Sequence, residues 1–283
     1  MTTCSDFYDD KLKRLQPGLS TYSFPWAIGV EDFKPSDPLT ANSLLQFAAA
    51  HDIRYVQFGD NMPLHSFSKQ QLNNLKEAAD SLRIGIEVGT RRLTVENISL
   101  YLSIAQKLNS PFLRVVVDDA DFHPDGQQVT ETIKTLLPQM KQTGIRLAIE
   151  NHDRFPAITL RNIIQQTSPS SVGICLDTAN SLGANEGINE VVQVLGEYTV
   201  NLHVKDFTIK RLPHKMGFII EGCEAGKGQL NIPEIINQLK PYKVCETVTL
   251  EVWSQPEPTI EESIVKEKLW VESGINYLKT ILT

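Results

Sequence analysis

Eight short runs rich in β-branched and aromatic residues recur along the chain, separated by stretches whose apolar positions fall three and four residues apart. The runs are GLSTYSF from Gly18, IRYVQFG from Ile53, IGIEVGT from Ile84, FLRVVVDD from Phe112, RLAIENHD from Arg146, VGICLDT from Val172, VNLHVKDF from Val200 and TVTLEVW from Thr247. Their starts lie 35, 31, 28, 34, 26, 28 and 47 residues apart, and each gap has room for a helix and two loops. In those gaps LLQFAAA from Leu44, ISLYLSIAQKL from Ile98 and IIQQ from Ile163 can each lay one apolar stripe on a sheet. Ser68 with Gln71 and Thr259 with Glu262 read as capping boxes, and Asn231 can cap a helix that carries Pro233 in its first turn. Strands that alternate with helices in this way are parallel. Eight such units close more naturally into a barrel than into an open doubly wound sheet. The pattern predicts an α/β protein, a (β/α)8 TIM barrel in a single domain over residues 18–283, with residues 1–17 as a tail packing on it. A lid-like insertion is expected at about 208–231, in the longest interval, with Gly217, Gly222, Gly226 and Gly228 as hinges.

Composition narrows the setting. The chain has 283 residues, 41% hydrophobic and 22% charged, which is the make-up of a folded globular protein and excludes disorder and low-complexity architecture. Twenty-seven basic residues against 34 acidic ones leave a formal charge of −7, which argues against nucleic-acid partners. No apolar stretch is long enough to span a bilayer and the first residues are polar, so neither a membrane association nor a signal peptide is expected, and a cytoplasmic location is. Cys4, Cys175, Cys223 and Cys245 are widely spaced and read as reduced thiols.

Parallel strands buried on both faces should be nearly continuous apolar runs, so ionisable residues at their C-terminal ends stand out. Strand five ends in Glu150, strand six in Asp177, strand seven in His203 and strand eight in Glu251, and active sites of such barrels form at that end. Three carboxylates crowded in a barrel mouth need a compensating cation. With one imidazole among them, a divalent metal fits, Mn2+ first and Mg2+, Co2+ or Zn2+ after it.

The segments LAIENH, CLDTAN, LHVKD, LEVW and EAGKGQLNIPEI together resemble the xylose-isomerase-like barrel superfamily, which includes ketose 3-epimerases, inosose dehydratases, dehydroshikimate dehydratases and endonuclease IV. The resemblance spans nearly the whole chain. It implies that Glu150, Asp177, His203 and Glu251 ligate the metal, that Glu150 and Glu251 form an acid/base pair, and that the protein is a homodimer or homotetramer. Asn180 stands where the epimerases tend to carry a substrate-gripping histidine and where endonuclease IV has a zinc ligand, so a trinuclear nuclease is not implied.

A site of this kind suits a metal-dependent isomerase or epimerase of a small keto or aldo sugar, working through an enediolate. A dehydratase of an inosose-like substrate and an inactive sugar-binding barrel are the alternatives. Counting only the metal and its ligands gives a shell near −1, which suits uncharged polyols. Lys205 shares the face of His203 and either donates to a substrate oxygen or solvates the strand end, while Asp206 faces outward and should bind a loop or a helix terminus. Glu87, Gln57 and Arg114 interrupt apolar strands and either reach the barrel mouth or pair with one another. His152 is a candidate substrate contact or loop hydrogen-bonder, and Trp26 and Trp253 can stack on a sugar or simply pack. GCEAGK has glycines like those of a phosphate-binding loop but lacks its spacing and its Ser or Thr, so nucleotide is not expected. Arg91, Arg92 and Lys227 are the loop cations available to a substrate phosphate.

Overall fold

The computed structural model describes residues 15–282. Eight parallel strands close a barrel: β1 (Gln16–Ser20), β2 (Tyr55–Phe58), β3 (Gly85–Arg91), β4 (Phe112–Val116), β5 (Arg146–Glu150), β6 (Val172–Asp177), β7 (Thr199–Val204) and, after a two-stranded insertion, β10 (Thr247–Leu250). β10 lies between β7 and β1, which completes the ring, and every pairing around it is parallel. The eight-unit repeat read from the sequence is the barrel observed, in one domain. The tail boundary needs correction. Gln16 and Pro17 are paired with Thr247 and Val248, and the Gln16 N–H bonds the Glu246 carbonyl, so these residues are barrel strand. The rest of the expected tail, with Cys4, lies outside the described residues.

Helices cover the ring: α1 (Pro25–Ile28), α2 (Ala41–Ala50), α3 (Lys69–Leu82), α4 (Val95–Leu108), α5 (Gly126–Thr143), α6 (Ala157–Gln166), α7 (Ile188–Leu195), α8 (Ile232–Leu239) and α9 (Ile260–Ile281). The capping boxes at Ser68 and Thr259 both form, and a third at Asp125 with Gln128 starts α5. Each such cap contributes about 1 kcal/mol to its helix. The buried stripes, such as Ile98, Tyr101, Leu102 and Ala105 on α4, pack on the outer faces of the strands and form the main core. No helix among the described residues is long and apolar enough to cross a membrane.

Inside the barrel a second, small apolar cluster of Phe112, Ala148, Cys175 and Val200 fills one side. The other side is polar and fully bonded. Thr247 Oγ1 donates to Glu87 Oε1 at 2.6 Å, Gln57 Nε2 donates to Glu87 Oε2 at 3.1 Å and to Asn201 Oδ1 at 3.2 Å, and Asn201 Nδ2 donates to Thr247 Oγ1 at 2.7 Å. This layer is the floor on which the strand-end residues stand.

The insertion between β7 and β10 begins as an antiparallel hairpin, β8 (Asp206–Arg211) and β9 (Phe218–Cys223), outside the barrel. Asp206 anchors the turn after the hairpin, as its outward position predicts: its carboxylate accepts the backbone N–H groups of Gly226 at 3.0 Å and of Gly228 at 2.9 Å. Two of the expected hinges are therefore packing glycines. A Cβ at Gly228 would run into the Asp206 carboxylate, and Gly226, at φ +82, would press a side chain into the Tyr277 ring.

Candidate metal centre

The four strand-end residues converge in one layer. Glu150 and Asp177 are the last residues of β5 and β6, His203 sits opposite both Asp177 and Thr249 in the register, and Glu251 directly follows β10. All four are buried. His203 Nδ1 lies 3.2 Å from Glu251 Oε1, 3.6 Å from Glu150 Oε2 and 3.9 Å from Asp177 Oδ2.

The floor beneath sets the tautomer of the histidine. His203 Nε2 is 2.8 Å from Gln57 Oε1, and Gln57 spends its own N–H groups on Glu87 and Asn201, so Oε1 is an acceptor and Nε2 carries the proton. Nδ1, the nitrogen that faces the carboxylates, is the one left to ligate an ion. Asp177 is oriented in the same spirit: Oδ1 accepts the N–H groups of Ala179 at 2.8 Å and Asn180 at 2.9 Å, and its own N–H donates to Asn151 Oδ1 at 2.6 Å. Its Oδ2 turns inward.

The donor set fits a divalent metal. Apart from ion-pair contacts within the cluster, Asp177 Oδ2, His203 Nδ1 and both Glu251 oxygens are buried without a hydrogen-bond partner, a costly state unless something else binds them. One ligand atom each from Asp177, His203 and Glu251 falls within a 4.8 Å group, as does one each from Glu150, Cys175 and His203. Cys175 is the poorer donor. Burial and then the Glu150 charge hold its thiol well above its ordinary value, and its S–H faces Asn201 Oδ1 at 3.1 Å.

Two cations that the ligand count from sequence left out also enter the site. Lys205 Nζ lies 3.0 Å from Asp177 Oδ2 and 2.9 Å from Glu251 Oε2. Arg114 donates from Nε to Glu150 and from Nη1 to Asp60 at 2.9 Å, while Asn180 Nδ2 donates to the other Glu150 oxygen at 2.8 Å. Burial by itself raises the Glu150 carboxyl, but Arg114 and then His203 outweigh it and hold the group below its ordinary value. Glu251 is likewise opposed by burial and held down by His203, Lys205 and Arg114. Burial opposes the charge of Lys205, yet Asp177 and Glu251 raise its ammonium above the usual lysine range. With a divalent ion, three carboxylates and these two cations, the inner site is no longer negative.

The sequence profile of the xylose isomerase-like TIM barrel matches residues 29–281. The chain belongs to that family. A curated relative, 3-oxo-isoapionate decarboxylase of Pectobacterium atrosepticum, is 28% identical over 263 residues, covering 93% of this chain and 94% of its own. Among solved structures, D-psicose 3-epimerase from Clostridium cellulolyticum superposes with a TM-score of 0.71 at 14% identity, covering 95% of this chain and 99% of that one. The IOLI protein with a bound zinc atom gives 0.64 at 15% identity over 93% and 99% of the two chains. At such identities the structural likeness speaks for the xylose isomerase-like fold and no further.

Within this family member, the remaining sequence candidates fall in different places. Glu87 pairs internally with Thr247 and Gln57 and is fully buried in the floor, so it is not a substrate contact. Arg114 pairs too, but with the site itself. His152 is half-buried and its Nδ1 lies 2.6 Å from Asp153. Trp26 donates from its indole to Ser254 and packs edge-on against Phe33, and Trp253 donates to the Asp206 carbonyl at 2.9 Å, so both indoles serve packing of the rim. Arg91 and Arg92 border a cleft of about 500 Å³ beside Asp60, where Arg91 is paired with Asp60 and Arg92 with Asp119 and Asp121. Lys227 is paired with Glu224 at 2.6 Å.

Sequence reasoning missed Asp60, which holds Arg114 and Arg91 and accepts the Tyr22 hydroxyl at 2.9 Å. The signal was available: Asp60 is the first ionisable residue after the second apolar run, the same mark that picked out Glu150 and Asp177.

Proposed function

We propose that this protein is a divalent-metal-dependent lyase that releases CO2 from a small oxo sugar acid by way of an enediolate. The observation that carries this reading is the pair of cations, half-buried Lys205 and buried Arg114, set among the carboxylates that would ligate the metal. They make the site attractive to an anionic substrate. The full-length relationship to a decarboxylase of an oxo acid supports it.

Glu150, Asp177, His203 Nδ1 and Glu251 would hold the ion, and the ion would supply stabilisation for negative charge developing on the substrate's keto oxygen. The residues do the rest. Lys205 binds the substrate from the strand-seven side through its ammonium group. Breaking the bond to the carboxylate leaves its electron pair on the neighbouring carbon, in conjugation with the keto group, and CO2 departs neutral. A proton then enters at that carbon from the Lys205 ammonium, which regains one from solvent before the next turnover. No base is required at any stage.

The isomerase or epimerase expected from the sequence uses the same intermediate but asks Glu150 to remove a carbon-bound proton. Arg114 and Asn180 occupy both oxygens of that carboxylate, which makes it a weak base. The three described cysteines are free thiols, which supports the cytoplasmic setting. The test incubates manganese-loaded protein with a panel of 3-oxo sugar acids and neutral ketoses in D2O under NMR. CO2 release with one deuterium incorporated per turnover is expected; deuterium exchange into a neutral ketose without CO2 would return the reading to epimerisation.

A further inference from the structure

The β8–β9 hairpin carries apolar groups that this chain leaves uncovered. Met216 and Phe218 are 78% and 58% exposed, and Ile209, Ile219 and Ile220 are exposed beside them. A two-stranded ribbon is marginal in water unless something packs against it. Residues 209–218 at its tip include Arg211 and Lys215 and no acidic residue, while Lys210 is paired with Glu221 across the hairpin at 2.8 Å. The Arg211 guanidinium lies over the Phe218 ring at 4.3 Å and donates to the Lys215 carbonyl at 2.9 Å. The tip thus presents an aromatic ring with a fixed cation behind it.

A groove of the opposite character runs along the first half of α9. Val265 and Leu269, 60% and 59% exposed, and Trp270 form its apolar wall, and it encloses about 680 Å³. Glu257, Glu261 and Glu262 line its edge, and its one lysine, Lys266, is taken up by Glu257 at 2.6 Å. Glu224, which follows β9 directly, closes the near end, so the groove starts where the hairpin stops. A basic, aromatic projection and an acidic, apolar recess, joined through Glu224, are complementary in charge and in surface. Because both lie together, two copies can exchange them about a two-fold axis.

We propose that this chain forms a two-fold dimer in which each copy seats its hairpin tip, Met216 and Phe218 flanked by Arg211 and Lys215, in the glutamate-edged groove over Val265 and Leu269 of the second copy. Burial of the two side chains supplies the association energy, and the charges fix orientation and make it salt-sensitive.

Sedimentation velocity on the full chain tests this. The wild type should run as a dimer that weakens at least about ten-fold when salt rises from low to high concentration. Met216→Asp with Phe218→Asp should give a monomer of unchanged circular dichroism, and so should Val265→Asp with Leu269→Asp. Mixing these two variants leaves one intact tip and one intact groove, and should restore a dimer. Reversing Arg211 and Lys215 to Glu should weaken association, and adding Glu261→Lys and Glu262→Lys should recover it, which tests the pairing even if an apolar variant fails to fold. A monomeric wild type, a dimer indifferent to both surfaces, or loss in the hairpin variant without rescue by mixing would overturn the proposal.

Discussion

At the scale of single residues, the proposed metal centre rests on side chains that touch no substrate. Gln57 is the clearest case: by accepting from His203 Nε2 it leaves Nδ1 as the ligand nitrogen. Gln57→Leu keeps the volume but removes the acceptor, and should lower manganese affinity roughly 10- to 100-fold by calorimetry while the barrel's circular dichroism stays unchanged. Unchanged affinity would remove Gln57 from that role. Lys205 and Arg114 should separate from it. Lys205→Met and Arg114→Met should each reduce kcat/KM on an oxo sugar acid by about 100-fold or more, with manganese still bound. The convergence of the four proposed ligands was legible in the sequence because an ionisable residue at the end of an apolar run has few structural reasons to be there. Asp60 obeyed the same rule, yet its meaning depended on Arg114 from another strand and Tyr22 from another loop, partners that only the closed barrel brings within reach.

Among the elements, the strands and most helices are set by periodicity and caps, since each is a local pattern: Ser68 and Thr259 start their helices where the sequence places them. The hairpin is not. TIKRLPHKMGFII has no clean alternation and carries exposed apolar residues on both strands, so a loop with hinge glycines was the natural expectation. The base of the insertion is held by a tertiary contact, the Asp206 carboxylate collecting N–H groups from the turn at Gly226 and Gly228. Asp206→Ala should therefore destabilise the fold by about 1–3 kcal/mol in urea denaturation and expose the bond after Lys227 to trypsin. Equal cleavage rates in variant and wild type would mean that the turn is held by something else.

For the whole molecule, the barrel interior couples stability to pH. Burial pushes the Glu87 carboxyl up to about 7, against the hydrogen bonds from Thr247 and Gln57 that oppose the shift. Its folded value lies above its unfolded one, so the folded chain keeps a proton that the unfolded chain releases, and this contribution is complete below about pH 4.5 and lost as pH rises towards 7. Metal-free protein should lose on the order of 3 kcal/mol across that window from this group, and Glu87→Gln should remove that share, leaving a comparable slope from Glu267, which burial raises to about 8. Parallel pH profiles in the two proteins would contradict this.

The claim on which the rest depends is that a dication joins the ends of β5, β6, β7 and β10. An anomalous difference map from manganese-soaked crystals tests it most directly. One strong peak bonded to Glu150, Asp177, His203 Nδ1 and Glu251, with the Lys205 ammonium withdrawn towards the substrate space, is the expected result. A map with no peak there, and His203 Nδ1 still facing the carboxylates across a gap, would contradict the account.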